Sequence, residues 1–377
     1  MAGFIESSVK RNNEYGGKCR IGMMHYLKEK LKIQRNYFQS KKLVCNNKYD
    51  HGLNPEKKYA FIFFAADYNN LGDLAITVAQ KKFLMSLIGE EYTVIKINEA
   101  DTYNWIGEIK KLPSENVLIT LIGGGNSGSL YDFIEIPRRF ILKHFKNYRI
   151  ISFPQTIFFD DSEQALAVKT EFFKVANKCK NLTLVAREKN SDKIYADNTK
   201  ARILLTPDIV FSYEKYVKPR GSRQANSVAF VLRDDKEKAL DVEFQRDLIE
   251  SVEKRFDKVE YMDTCDVEYK EDNAQKLLDD YLMRLQSISL VITDRLHGMI
   301  LSYIAKTPCI VFDNNNQKIK STYNTWLQGQ NIVRLFNSGG VEELNQLIDD
   351  MMNQSKYMSV NLDEKFDPLR KVVKGEL

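Results

Sequence analysis

Cysteine is scarce in this chain: five residues, Cys19, Cys45, Cys179, Cys265 and Cys309, at wide and irregular spacings. An odd count without a Cys-x-x-Cys pair argues against a disulfide framework and a cysteine zinc site, and predicts a reducing, cytoplasmic setting. Histidine is scarcer still, with only His25, His51, His144 and His297. None stands at ligand spacing from another His or Cys and there is no Asp-x-Asp pair, so no metal is expected. No apolar run approaches the roughly 20 residues a membrane span needs. The opening Met1-Ala2-Gly3-Phe4-Ile5-Glu6 has neither the charged nor the apolar region of a signal peptide. Neither sign of charge dominates: 56 Lys and Arg stand against 51 Asp and Glu, a net +5 without a basic block. That balance favours small anionic ligands over nucleic acid.

What is present suffices for two buried cores: 377 residues, 43% of them hydrophobic. Residues 1–55 read as an N-terminal arm with a basic amphipathic helix over 23–37, which either packs on the domain or a second subunit, or touches an anionic membrane surface. From Tyr59, short runs rich in β-branched and aromatic residues alternate with helix-length segments: 60–65, 93–97, 117–122, 149–153, 182–186 and 202–205. Each run is apolar on both faces, as a strand between two helical layers must be, which predicts a Rossmann-like domain over 56–212. A polar, basic linker over 213–226 carries Pro219 and Gly221. The pattern restarts at 228–232, 259–262, 290–292, 309–312 and 332–335, a second Rossmann-like domain over 227–338. The predicted fold is α/β, two Rossmann-like domains in a GT-B-like arrangement with a cleft between their strand C-terminal edges. Residues 339–377 supply a C-terminal helix, 341–352, and a tail, expected to pack back on the first domain.

Ligands of open parallel sheets collect at strand C-terminal ends, where the following helices present unpaired amides. Three such places stand out. Asn70-Leu71-Gly72-Asp73 follows the first strand, and Asn70 or Asp73 either caps the next helix or meets a ligand. Gly123-Gly124-Gly125-Asn126 follows the third strand; removing side chains there lets a ligand reach the backbone, or simply allows a turn. Thr293-Asp294-Arg295-Leu296-His297-Gly298 gathers a guanidinium, an imidazole and a helix N-terminus. Its alternative is a backbone-satisfied His with Arg295 bridged to Asp294. Phe153-Pro154-Gln155-Thr156 and Arg187, which could also be a turn and an exposed charge, end two further strands.

In order, these segments with Ser191 and Thr206-Pro207-Asp208 resemble the polysaccharide pyruvyl transferase family over roughly residues 60–330, most closely its bacterial exopolysaccharide members. Ser127, Ser129 and Glu188 depart from the family's usual residues. The resemblance implies transfer of pyruvate from phosphoenolpyruvate, as co-substrate, to two hydroxyls of one sugar, giving a cyclic ketal and phosphate. It implies no separate cofactor. On it, Arg187 and Arg295 take the donor's carboxylate and phosphate with Gly124, Gly125 and Asn126, His297 carries the proton, and Asn70, Asp73, Gln155 and Thr156 meet the acceptor. A lipid-linked oligosaccharide acceptor would bring the protein to the inner membrane face without a span of its own; the oligomeric state stays open. Two other readings share the fold: a glycosyltransferase using a nucleotide sugar, and a non-catalytic sugar-binding or assembly protein.

Overall fold

The computed structural model describes residues 49–219, 223–233, 239–265, 267–270, 272–315 and 317–377. The basic stretch 23–37 of the expected arm lies outside them. The first sheet contains β1 (Lys58–Phe63), β2 (Tyr92–Ile97), β3 (Val117–Leu121), β4 (Gly124–Gly128), β5 (Arg149–Phe158), β6 (Asn181–Ala186) and β7 (Arg202–Leu205). They lie in the order β2-β1-β3-β5-β6-β7, with β4 beside β5, and every pairing is parallel. The second sheet, again parallel, contains β8 (Ser227–Val231), β9 (Lys258–Tyr261), β10 (Leu290–Thr293), β11 (Cys309–Phe312) and β12 (Val333–Phe336), in the order β12-β11-β10-β8-β9. Central strands such as Val117–Leu121 and Leu290–Thr293 are buried at every residue. This is why their sequences are continuous apolar runs rather than alternating ones.

Both sheets have the same winding. In the first, the strand order reverses between β1 and β3; in the second, between β8 and β10. A reversal of this kind leaves a crevice at the strand C-termini where no crossover helix covers the sheet edge. The two crevices face each other, and this places the site.

Three details depart from the sequence reading. The fourth predicted strand does not stop at Phe153 but continues to Phe158. Pro154 cannot donate to the ladder, so the register with β6 slips between Ser152 and Gln155 and pairing resumes beyond it. The stretch assigned to the linker begins inside a 3-10 helix, Ile209–Tyr216, in which Tyr213 is buried and donates its hydroxyl to Asp279 at 2.7 Å. Finally, Val341–Met352 stays with the second domain, where Leu344, Ile348 and Met351 complete a core with Val228, Phe230, Leu290 and Ile310. The element that returns to the first domain is Asp367–Lys374, packed on the helix Leu71–Ile88, with Arg149 Nη2 donating to the Val373 carbonyl at 2.9 Å.

Candidate active site

A cavity of 470 Å³ lies where the two crevices meet. The first domain contributes Asn70, Asp73, Gly125, Asn126 and Arg187 to its wall, and the second contributes Arg233, Arg295, His297 and Lys318. A larger open depression, 780 Å³, runs along the β2 edge between Lys57 and Tyr92 but holds none of the residues singled out from sequence.

The first wall begins where β1 ends. Asn70 caps the helix Leu71–Ile88, its Oδ1 accepting from the amides of Gly72 (3.0 Å) and Asp73 (3.4 Å), so the capping role exists alongside its place on the cavity. Leu71 N–H bonds to the Thr264 carbonyl of the second domain at 2.7 Å. Gly72 is a glycine for a packing reason: a Cβ there would run into the His297 ring at Nδ1. Gly72→Ala is therefore expected to displace the imidazole, as a shift of the His297 ring signals in NMR would reveal.

The second wall is organised by the segment following β10. Thr293 Oγ1 donates to the Val231 carbonyl at 2.7 Å and accepts from Arg295 N at 3.0 Å, tying the end of β10 to β8. A Cβ at Gly298 would collide with that hydroxyl, which explains the glycine after His297. Asp294 does not bridge to Arg295. Its Oδ1 accepts from Arg233 N at 2.8 Å, its Oδ2 is buried without a hydrogen bond, and burial raises its pKa. Arg295 instead pairs through Nη2 with Asp263 at 2.8 Å.

Arg187 is not an exposed charge; it is 1% exposed. Its Nε donates to Thr156 Oγ1 and its Nη1 to Asp208 Oδ2, both at 2.7 Å, while Trp326 of the second domain donates Nε1–H to its carbonyl at 2.7 Å. The adjoining Glu188 caps the helix Lys189–Asn198 and accepts from Ser321 Oγ at 2.9 Å, a further tie between the domains. Asp208 Oδ2 also lies 3.9 Å from His297 Nε2. One buried carboxylate thus stands between a guanidinium and the imidazole. Burial lowers the His297 pKa, with Asp208 pulling the other way and Arg187 reinforcing the shift, so the ring is neutral near pH 7 before any ligand arrives. Its Nε2 makes no hydrogen bond.

Several sequence expectations need correction. The glycine segment is a strand, Gly124–Gly128, and not an open anion cradle: Gly124, Ser127 and Gly128 register with Gln155, Ile157 and Phe158. Gly124 does not line the cavity, and a Cβ on it would crowd Ile76 at 3.1 Å. Gly125 makes room for Arg187, whose Nη2 would lie 2.8 Å from an added Cβ. Gln155 and Thr156 do not line the cavity either. Gln155 is fully buried, donating Nε2 to the Ile122 carbonyl (2.6 Å) and to Asn126 Oδ1 (3.1 Å), so it brackets Asn126 rather than meeting a sugar. Thr156 positions Arg187. Conversely, Asp208, Arg233 and Lys318 were given no site role from sequence. The first two sit just beyond β7 and β8, a strand-end position that could have exposed them; Lys318 had no such signal.

The family model described as polysaccharide pyruvyl transferase matches residues 70–316, which contain Asn70, Asp73, Gly125, Asn126, Arg187 and the segment after β10. General stress protein 30 of Bacillus subtilis is 35% identical over 340 residues, covering 88% of this chain and 96% of its own. Pyruvyl transferase 1 of Schizosaccharomyces pombe is 31% identical over 299 residues, covering 74% and 72%. Among solved structures, the UDP-GlcNAc 2-epimerase of Methanocaldococcus jannaschii superposes with a TM-score of 0.51 at 12% identity over 83% of this chain and 98% of that one, a likeness of fold alone. The family match spans more than half of the chain, and the chain belongs to the polysaccharide pyruvyl transferase family.

Proposed function

We propose that the protein transfers the pyruvate skeleton of phosphoenolpyruvate to two hydroxyls of one sugar in a surface or exopolysaccharide precursor, as a cyclic ketal, with release of phosphate. The observation that carries this reading is the convergence of Arg187, Arg233, Arg295 and Lys318 with a neutral His297 on one cavity. The donor carries a carboxylate and a phosphate, and guanidinium groups grip both through paired hydrogen bonds. Arg187 and Arg295 are held by carboxylates, Asp208 and Asp263, and Arg233 and Lys318 line the same cavity as further cationic surface for the donor.

The chemistry balances without oxidation or reduction. His297 delivers a proton to the donor's methylene carbon, making it methyl, while the adjacent carbon takes a bond from a sugar oxygen. The second sugar oxygen then bonds to the same carbon and phosphate leaves. Of the two hydroxyl protons given up, one replaces the proton spent on the methyl group and the other departs with phosphate. Asp73, beside His297 on the cavity wall, is placed to receive a hydroxyl proton. The negative donor raises the proton affinity of the imidazole as it binds, which loads the acid where it is needed.

The acceptor is a sugar or a lipid-linked oligosaccharide. No helix among the described residues is long and apolar enough to cross a membrane, so a lipid-linked acceptor would be met at the membrane surface. Phosphate release from phosphoenolpyruvate, measured against a panel of β-galactosides, glucosides and N-acetylmannosamine derivatives, is expected only when a suitable acceptor is present. Release of UDP or GDP from a nucleotide sugar would contradict the reading. Arg295→Lys keeps the charge but loses the planar fork, and should weaken donor binding by about tenfold or more, read by calorimetric titration with phosphoenolpyruvate.

A further inference from the structure

The cavity wall carries two kinds of side chain: the cations Arg187, Arg233, Arg295 and Lys318, and the aromatic rings of Tyr68, Tyr131 and Phe133. Phe133 and Tyr68 are 54% and 51% exposed, unusual for such large apolar rings. Phe133 is set edge-to-face on Tyr131, centroids 6.0 Å apart with planes at 86°. Tyr68 donates its hydroxyl to Asp73 Oδ2 at 3.0 Å, and the partial burial of the phenol together with Asp73 raises its pKa.

We propose that Tyr68, Tyr131 and Phe133 form the acceptor subsite, a platform for a neutral pyranose ring whose hydroxyls are then met by Asp73 and Asn70. The inference rests on the ketal-forming reading for the identity of the acceptor, but the platform is argued from the cavity itself. A pyranose presents C–H bonds on its faces and hydroxyls around its edge. An aromatic face, negative at its centre, takes the C–H side, and the Asp73 carboxylate with the Asn70 amide takes the edge. The donor's charges belong with the cations, Arg187, Arg233, Arg295 and Lys318. The ring plane would also bring a hydroxyl pair toward His297, which shares the cavity wall with Asp73.

The test compares Phe133→Ala, Phe133→Leu and Tyr68→Phe with the unaltered protein, using methyl β-galactopyranoside, methyl β-glucopyranoside, N-acetylmannosamine and the dodecyl counterparts of the two glycosides as acceptors. Acceptor KM is read from phosphate release, glycoside binding from saturation-transfer NMR, and phosphoenolpyruvate affinity from calorimetry. One aromatic contact corresponds to about 2- to 12-fold in affinity. Phe133→Ala should raise acceptor KM and weaken the saturation transfer by that factor, with donor affinity within about twofold. Phe133→Leu keeps apolar bulk without the aromatic face and should lose nearly as much; should the alanine variant fail to fold, the leucine variant carries the test. Tyr68→Phe frees Asp73 from its partner and should change acceptor KM but not donor affinity. Unchanged acceptor KM with active enzyme would overturn the subsite and leave the transfer reading standing. Glycoside binding that weakens in the variants, in a protein that never releases phosphate from phosphoenolpyruvate, would support the platform and remove the transfer reading. A protein that neither binds glycosides nor turns over would overturn both. An effect seen only with dodecyl glycosides would overturn the sugar platform and assign the mouth to a lipid chain instead.

Discussion

Replacing His297 with alanine is expected to lower acceptor-dependent phosphate release by about 10²- to 10⁴-fold, the usual contribution of a positioned acid or base. The fold should survive, because Nε2 of this half-buried ring makes no hydrogen bond that truncation would break. Donor affinity should change far less than kcat, since the arginines are untouched. Full activity in a folded His297→Ala protein would remove the imidazole from the mechanism. The pH dependence follows from the direction of its shift. Burial holds the free enzyme's His297 below the ordinary histidine value of 6.5, so the proton-donating form declines as pH rises through that depressed pKa. We therefore expect kcat/KM to fall on that limb, and the matching limb of kcat to lie at higher pH because bound donor raises the pKa. Stability runs the other way. The unfolded chain takes up this proton at higher pH than the folded one, so the contribution is complete above the ordinary histidine range and is lost as pH falls through it. Melting curves of the wild type and His297→Ala should converge accordingly toward acid pH.

The second large effect is expected at Asp208. The pair it forms with Arg187 is buried on both sides, Arg187 at 1% and Asp208 at 0% exposure. Removing one partner of such a pair strands the other, at a cost of about 3–5 kcal/mol. Asp208→Asn should show this in a denaturant titration, with the amide retaining enough of the cap on Val210 N–H, now 2.9 Å from Oδ1, to limit local fraying. The same change removes the group that draws the His297 pKa upward, so the imidazole should titrate lower still. Adding Arg187→Met should recover much of the stability, because it removes the buried guanidinium that Asp208→Asn leaves without a counter-charge. It should recover none of the activity. A stability loss that the second substitution does not repair would place the defect in the cap rather than in the ion pair.

The strands were legible because burial between two helical layers leaves apolar runs with little else to explain them; the 202–205 and 309–312 runs are found at those residues. The motif around His297 was legible for a related reason: a guanidinium and an imidazole directly after a buried strand stand at a sheet's ligand edge. What stayed hidden depends on contacts between segments far apart in the chain. Nothing beside Gly72 or Gly125 in the sequence shows that their lack of a side chain serves His297 and Arg187, which lie 225 and 62 positions away. Pro154 looked like a strand end because its missing donor is visible in sequence and the register slip that absorbs it is not. Gln155 looked available to a sugar, but it is fully buried and spends its Nε2 on Ile122 and Asn126. The amphipathic helix over 341–352 looked suited to cross back to the first domain, whereas the short segment Asp367–Lys374 makes that crossing.

Carbon-13 NMR of phosphoenolpyruvate labelled at its methylene carbon, incubated in deuterium oxide with the protein and a responsive acceptor, follows the proposed proton delivery directly. The account predicts that the vinylic signal is replaced by a methyl signal carrying at least one deuterium, on a ketal carbon bonded to two sugar oxygens, with phosphate released in equal amount. A product that keeps its methylene group as an enol ether, or a label that stays in the donor while the sugar is modified, would contradict it.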